Sequence, residues 1–246
     1  MSTTFRVSLV LVFLATIGLA TGAKASLQTG DILTIGNGPG TPGGIFYLQD
    51  TSSNKIADTF CVDLFEYIRF DRTYQVANAF ATATVAGNRP LTSFAAWLFD
   101  RYLNGVEGGG PVLPNFDFTN TYGQISAAAA RIQANELQLA IWIAIGYTPA
   151  EIGGVGSGWY SAYDDKLAGW QAAFGSDLSW SGTGNIYIAN LLGRDSSGNY
   201  TVHAQDQLVR NVIPEPLSAL VWLVLGITAA GAIQLHRNGN PGIPRA

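Results

Sequence analysis

Cys61 can react with a glutamine side chain, and Gln138 is the candidate partner, although residue types alone would let any glutamine be nominated. Cys61 is the single cysteine, so an internal disulfide is not open to it. On an exported chain, an exposed free thiol would invite oxidation and cross-linking. A thiolate can attack the amide of a glutamine, expel ammonia and leave a thioester, which amines and hydroxyls open far more readily than they attack an amide. Such a bond lasts only where apolar packing excludes water. Phe60 and Phe65 flank the cysteine, and Ile141 and Trp142 follow the glutamine. Residue types alone leave a second reading open, in which Cys61 is a buried thiol acting as a small hydrophobe.

Other chemistry-bearing residues form poorer constellations. Asp63, Glu66 and Asp71 lie close in sequence. Strand alternation would put Asp63 and Glu66 on opposite faces, so a solvated or hydrogen-bonded face is favoured over an acid/base pair. Asp195 to Asn199 carries oxygens that suit calcium but lacks the glycine-and-glutamate pattern of an EF-hand, and it reads as a turn. His203 is the one histidine outside the C-terminal tail, too little for a zinc site or a Ser-His-Asp triad. Asn199-Tyr200-Thr201 has the form of a glycosylation acceptor. Trp159, Tyr160, Trp170 and Trp180 offer faces for sugars, although core packing is the default for such residues. We therefore expect no metal, no cofactor and no turnover.

The elements that must position Cys61 and Gln138 can be read from periodicity. Asp31–Ile35, Gly44–Leu48, Thr59–Ile68 and Thr73–Val76 read as strands, with a Gly/Pro-rich loop between the first two. In the third, Cys61, Asp63, Phe65 and Tyr67 would share one face. The period then changes. Leu91–Leu103 has helical spacing, with Thr92 or Ser93 as its cap. Ser126–Ile145 carries an alanine run and then an apolar stripe, and Gly146 and Pro149 stop it. Trp159–Phe174 reads as a further helix. Ile186–Ala189 and Tyr200–His203 return to strands around the Asp195–Asn199 turn. Strands, helices, then strands predict an α+β domain, a strand-rich barrel or sandwich with a helical insertion.

Composition narrows the setting. The chain is 48% hydrophobic and only 12% charged, with 13 basic and 17 acidic residues. Four of the basic residues, Arg6, Lys24, Arg237 and Arg245, lie in the two ends, so the centre is more acidic still. Without clustered Lys and Arg to neutralise phosphates, nucleic-acid binding is excluded as an expectation. Residues 1–25 fit a secretory signal: Arg6, an apolar run from Val7 to Leu19, and Ala23-Lys24-Ala25 as the cleavage site. Near the other end, Pro214-Glu215-Pro216 precedes an uncharged run, Leu217 to Leu235, long enough to span a bilayer core. His236 and Arg237 follow, which favours a cytoplasmic C-terminus.

Pro214-Glu215-Pro216, the apolar helix and the basic end resemble the PEP-CTERM sorting signal of Gram-negative bacteria over about residues 212–237. The resemblance implies an exosortase-type membrane protease as a partner. The chain departs from the family pattern after Arg237, where residues 238–246 form a short tail in place of a run of arginines. Phe60-Cys61-Val62-Asp63 and Leu137-Gln138-Leu139-Ala140-Ile141-Trp142 resemble the cysteine and glutamine motifs of bacterial thioester domains, known from surface adhesins. That resemblance covers about residues 27–205 and implies a Cys61–Gln138 thioester in a domain spanning 26–211. The implied targets are extracellular amines or hydroxyls, on protein lysines or on polysaccharide. A protein anchored in the inner membrane before processing, then held at the cell surface or in the extracellular matrix, is expected. The alternative is a structural or carbohydrate-associated matrix protein in which Cys61 is merely buried.

Overall fold

The computed structural model describes residues 27–38, 44–116, 127–153 and 163–211. These belong to one compact unit, Leu27–Asn211. The expected signal segment with Ala23 and Ala25, and the expected sorting segment with Pro214, Glu215 and Pro216, lie outside the described residues. Among those described, no helix is long and apolar enough to cross a membrane.

Six strands form one antiparallel sheet: β1 (Ile32–Asn37), β2 (Phe46–Gln49), β3 (Lys55–Thr59), β4 (Thr73–Ala81), β5 (Ile186–Arg194) and β6 (Tyr200–Arg210), in the order β3-β2-β1-β4-β5-β6. Alternation sets the faces: Leu33 and Ile35 on β1, Phe46 and Leu48 on β2, and Tyr74 and Val76 on β4 point into the core. The helices fall between β4 and β5 in the chain: α1 (Ser93–Glu107), α2 (Ala127–Ala144), the one-turn α3 (Pro149–Ile152) and α4 (Tyr163–Ser176). The α+β expectation, with a helical insertion in a strand-rich domain, holds at this level.

The third strand differs from the sequence expectation. It runs Lys55–Thr59 instead of Thr59–Ile68. The Asp63 carboxylate accepts the Phe65 amide at 3.1 Å, a local turn that takes the chain off the strand path. Between strand and turn, a short ladder continues on a new partner. Leu208 N donates to Phe60 O at 2.9 Å, Val62 N donates to Asp206 O at 2.9 Å, and Cys61 lies opposite Gln207. The first and last strands of the sheet order thus meet at the cysteine.

Two helices hold the site. Thr92 caps α1, its hydroxyl oxygen accepting from Ala95 N at 3.1 Å and donating to the Ala144 carbonyl at 2.8 Å. One side chain therefore closes the start of α1 and the end of α2. Gly146, at φ +97°, then reverses the chain after α2. Pro149, expected only as a stop, also opens α3, where Thr148 and Glu151 form a capping box. On the sheet side, Phe60 meets Tyr102 of α1 edge-on at 5.2 Å and Phe99 at 6.1 Å. Arg210 of β6 donates to the Asp100 carbonyl at 2.8 Å and to its carboxylate at 2.7 Å.

Replacing Thr92 with valine removes the cap and the bond to α2. We predict a loss of about 1–3 kcal/mol of unfolding free energy by urea denaturation, most of it recovered in Thr92→Ser.

Candidate functional site

Cys61 and Gln138 are 77 residues apart in sequence and in contact in the fold. The cysteine is held by the ladder that joins β3 to β6, and Thr59 Oγ1 ties the same ladder with a 2.6 Å bond to the Leu208 carbonyl. Gln138 comes from the second half of α2, where Leu137 through Trp142 are all buried. A helix segment apolar on every side is a core segment, and the one amide in it must find partners there. It finds them on the cysteine. Cys61 N donates to Gln138 Oε1 at 3.2 Å, and Gln138 Nε2 donates to the Cys61 carbonyl at 2.7 Å. The side-chain amide docks on both backbone groups of Cys61, much as a neighbouring strand would. The thiol also points at Oε1, with Sγ at 3.2 Å.

This geometry suits condensation. The sulfur lies beside the amide whose carbon it would attack. Oε1, where negative charge would develop, already faces a backbone N–H. Phe60, Ile141 and Trp142 are buried around the pair as the sequence suggested, but Phe65 is not: it is 59% exposed and packs edge-on against Tyr147 at 5.8 Å. The turn set by Asp63 carries Phe65 out of the core. Burial pushes the Cys61 thiol well above its usual range, with the Asp63 charge adding to it.

Sequence reasoning placed Asp63 in a carboxylate cluster with Glu66 and Asp71 and missed Asp206. Asp63 and Asp206 are both buried. Tyr147 OH lies 3.5 Å from Asp63 Oδ1 and receives the Leu64 amide at 3.2 Å. The Arg89 guanidinium sits 3.9 Å over the Tyr147 ring, bonds Glu151 at 2.5 Å and donates to the Gly146 carbonyl. Gln205 Nε2 donates to the Asp63 carbonyl at 2.7 Å. Asp206 lies beyond His203, where the sequence reading ended the strand, and only its pairing opposite Val62 reveals it. The turn brings the Glu66 backbone amide to the Asp63 carboxylate, and Asp71 pairs with Arg69 at 3.5 Å.

The remaining candidates take ordinary places. Asp195 accepts from Ser197 N, Asn199 N and Thr201 Oγ1 at 2.8, 2.9 and 2.9 Å, which makes it the organiser of the hairpin turn. His203 is exposed on β6. Trp170 is core, with Nε1 donating to the Pro114 carbonyl at 2.8 Å. Trp180 Nε1 donates to the Gly182 carbonyl at 3.1 Å, while Trp159 and Tyr160 lie outside the described residues. Among the described residues no group of three or more His, Cys, Asp or Glu is placed to hold a metal ion. No family model, curated protein or solved structure matches the chain.

The acids make stability depend on pH. Burial, with hydrogen bonds opposing it and the Asp63 charge adding to it, pushes Asp206 from 3.8 up to about 6. A raised carboxyl stabilises the fold when protonated. That contribution is full below pH 3.8 and is lost as pH rises through about 6. Burial raises Asp63 in the same direction. Chemical denaturation should show unfolding free energy falling by about 1 kcal/mol or more between pH 5 and pH 7, and Asp206→Asn should flatten that slope.

Proposed function

We propose that this is an exported, non-enzymatic attachment protein that binds its target covalently through a Cys61–Gln138 thioester. The observation that carries the reading is the 3.2 Å approach of Cys61 Sγ to Gln138 Oε1 inside a buried apolar setting. A thioester there would be protected from water until a target amine or hydroxyl reached the carbonyl carbon. Attack would leave the target bonded to Gln138 and free the Cys61 thiol, a reaction used once.

The finer fold we read is a barrel, because the Phe60–Val62 ladder on β6 joins the two ends of the sheet order. Closure at that point is what brings the cysteine under α2. The terminal segments support the setting: a secretory signal ending at Ala25 and a PEP-CTERM-like signal at Pro214-Glu215-Pro216 with its apolar helix and basic end. On this reading an exosortase-type protease handles the tail, the C-terminal helix holds the chain in the inner membrane beforehand, and the domain faces the cell surface or matrix. Protein lysines and polysaccharide hydroxyls are the target classes.

One observation favours the alternative of a matrix protein with a merely buried thiol. The raised Cys61 thiol can remain S–H and donate to Oε1 without any covalent bond. Intact mass separates the two. The purified chain should weigh about 17 Da less than its sequence, Cys61→Ala should have its plain sequence mass, and methylamine should add covalently only to the former. A wild-type mass equal to the sequence, with a thiol that alkylates fully on unfolding, would sink the thioester.

A further inference from the structure

Two acids are buried beside the Cys61–Gln138 contact. Asp63 and Asp206 are each 1% exposed. Asp63 follows the cysteine by two residues, and Val62 between them donates its amide to the Asp206 carbonyl at 2.9 Å. Both carboxylates meet the same short loop. Val85 N donates to Asp206 Oδ2 at 2.7 Å, and the Ala86 amide faces Asp63. One oxygen of each acid, Asp63 Oδ2 and Asp206 Oδ1, is sealed from solvent with no hydrogen-bond partner.

The groups around them supply hydrogen bonds but no opposing charge. The Phe65, Glu66 and Ala86 amides and the Tyr147 hydroxyl meet Asp63, the Val85 and Leu191 amides and the Asn190 side chain meet Asp206, and burial still raises both carboxyls. The nearby cation, Arg89, is engaged by the Tyr147 ring, Glu151 and the Gly146 carbonyl. Two neighbouring carboxyls in a dry site hold a proton in common, because the second ionisation must overcome both desolvation and the first charge.

We propose that Asp63 and Asp206 form a one-proton acid pair that carries the proton in the condensation of Cys61 with Gln138. The inference rests on the thioester reading and names the groups that make the bond possible. As Sγ bonds to Gln138 Cδ, the S–H proton passes to the carboxylate of the pair, and the C=O electrons move onto Oε1, opposite the Cys61 amide. The carbonyl then re-forms and the Cδ–Nε2 bond breaks. The nitrogen takes a proton from the pair and leaves as ammonia. In net terms the thiol proton has moved to the departing nitrogen, and the pair again holds one proton. A pair in this state offers a base and an acid together, which a single carboxylate does not.

The experiment takes the full chain isolated unfolded, refolds it in detergent across pH 5–8, and follows the loss of about 17 Da by intact mass. Asp63→Asn should slow that loss by about 100-fold or more, and Asp63→Glu should recover part of the rate. Asp206→Asn should shift the pH–rate profile. An Asp63→Asn protein that refolds to the wild-type near-UV spectrum and loses 17 Da at the wild-type rate overturns the proposal. Carboxyl 13C resonances in Cys61→Ala give a test that needs no thioester. Coupled titration with a step near pH 6 is expected, and two independent titrations near 3.8 overturn the pair. A wild-type chain that never loses 17 Da defeats the thioester reading itself, while the titration still decides whether the pair exists.

Discussion

The domain depends on one docked amide. Gln138 spends both ends of its side chain on the backbone of Cys61, and those backbone groups have no strand partner on that side. Burying an amide in an apolar helix is unfavourable unless every polar atom is bonded. The carbonyl and N–H of Cys61 meet that need, and Gln138 meets theirs. Helix α2 is thereby fixed in rotation and depth against the Phe60–Val62 ladder on β6. The thiol contact follows from that alignment.

The helices and the sheet were unequally legible in the sequence. The α2 helix was plain because its alanine run, apolar stripe and Gly146 stop all agree. The α1 cap was readable as Thr92 or Ser93, and the structure places it at Thr92, whose bond to Ala144 the sequence did not show. Strand ends were obscure wherever polar residues are buried. β6 runs to Arg210 and not to His203, since Asp206 and Gln207 are internal and paired. β3 starts at Lys55, where the Lys55–Asp58 ion pair at 2.6 Å gives the segment a polar, loop-like appearance. Phe65 misled because a period-2 reading has no means of registering the turn that Asp63 builds.

The site was half legible. Cys61 and Gln138 could be nominated from their motifs, since each is short and contiguous. Asp63 lies in the cysteine motif, but Asp206 could not be nominated, because it reaches the site only through its register opposite Val62, a contact spanning the helical insertion. Sequence proximity grouped Asp63 with Glu66 and Asp71, and Asp71 pairs with Arg69 instead. Alternation is a rule about regular strands, and the site sits where a strand stops being regular.

That location has a chemical consequence. A water-free pocket preserves a thioester, yet the same desolvation disfavours the thiolate needed to make one. Bulk base cannot resolve the conflict, because Cys61 and Gln138 are sealed once the fold is complete. In the unfolded chain the two residues are 77 apart and rarely meet. On the thioester reading, bond formation would therefore belong to the folded or nearly folded state, and the proton would have to move between groups already inside. A buried carboxyl whose affinity for protons has been raised by the same burial is matched to a thiol raised by it too. On that reading, sealing the site and retaining buried acids within it are two aspects of one arrangement: the first would keep the product, and the second would let it form.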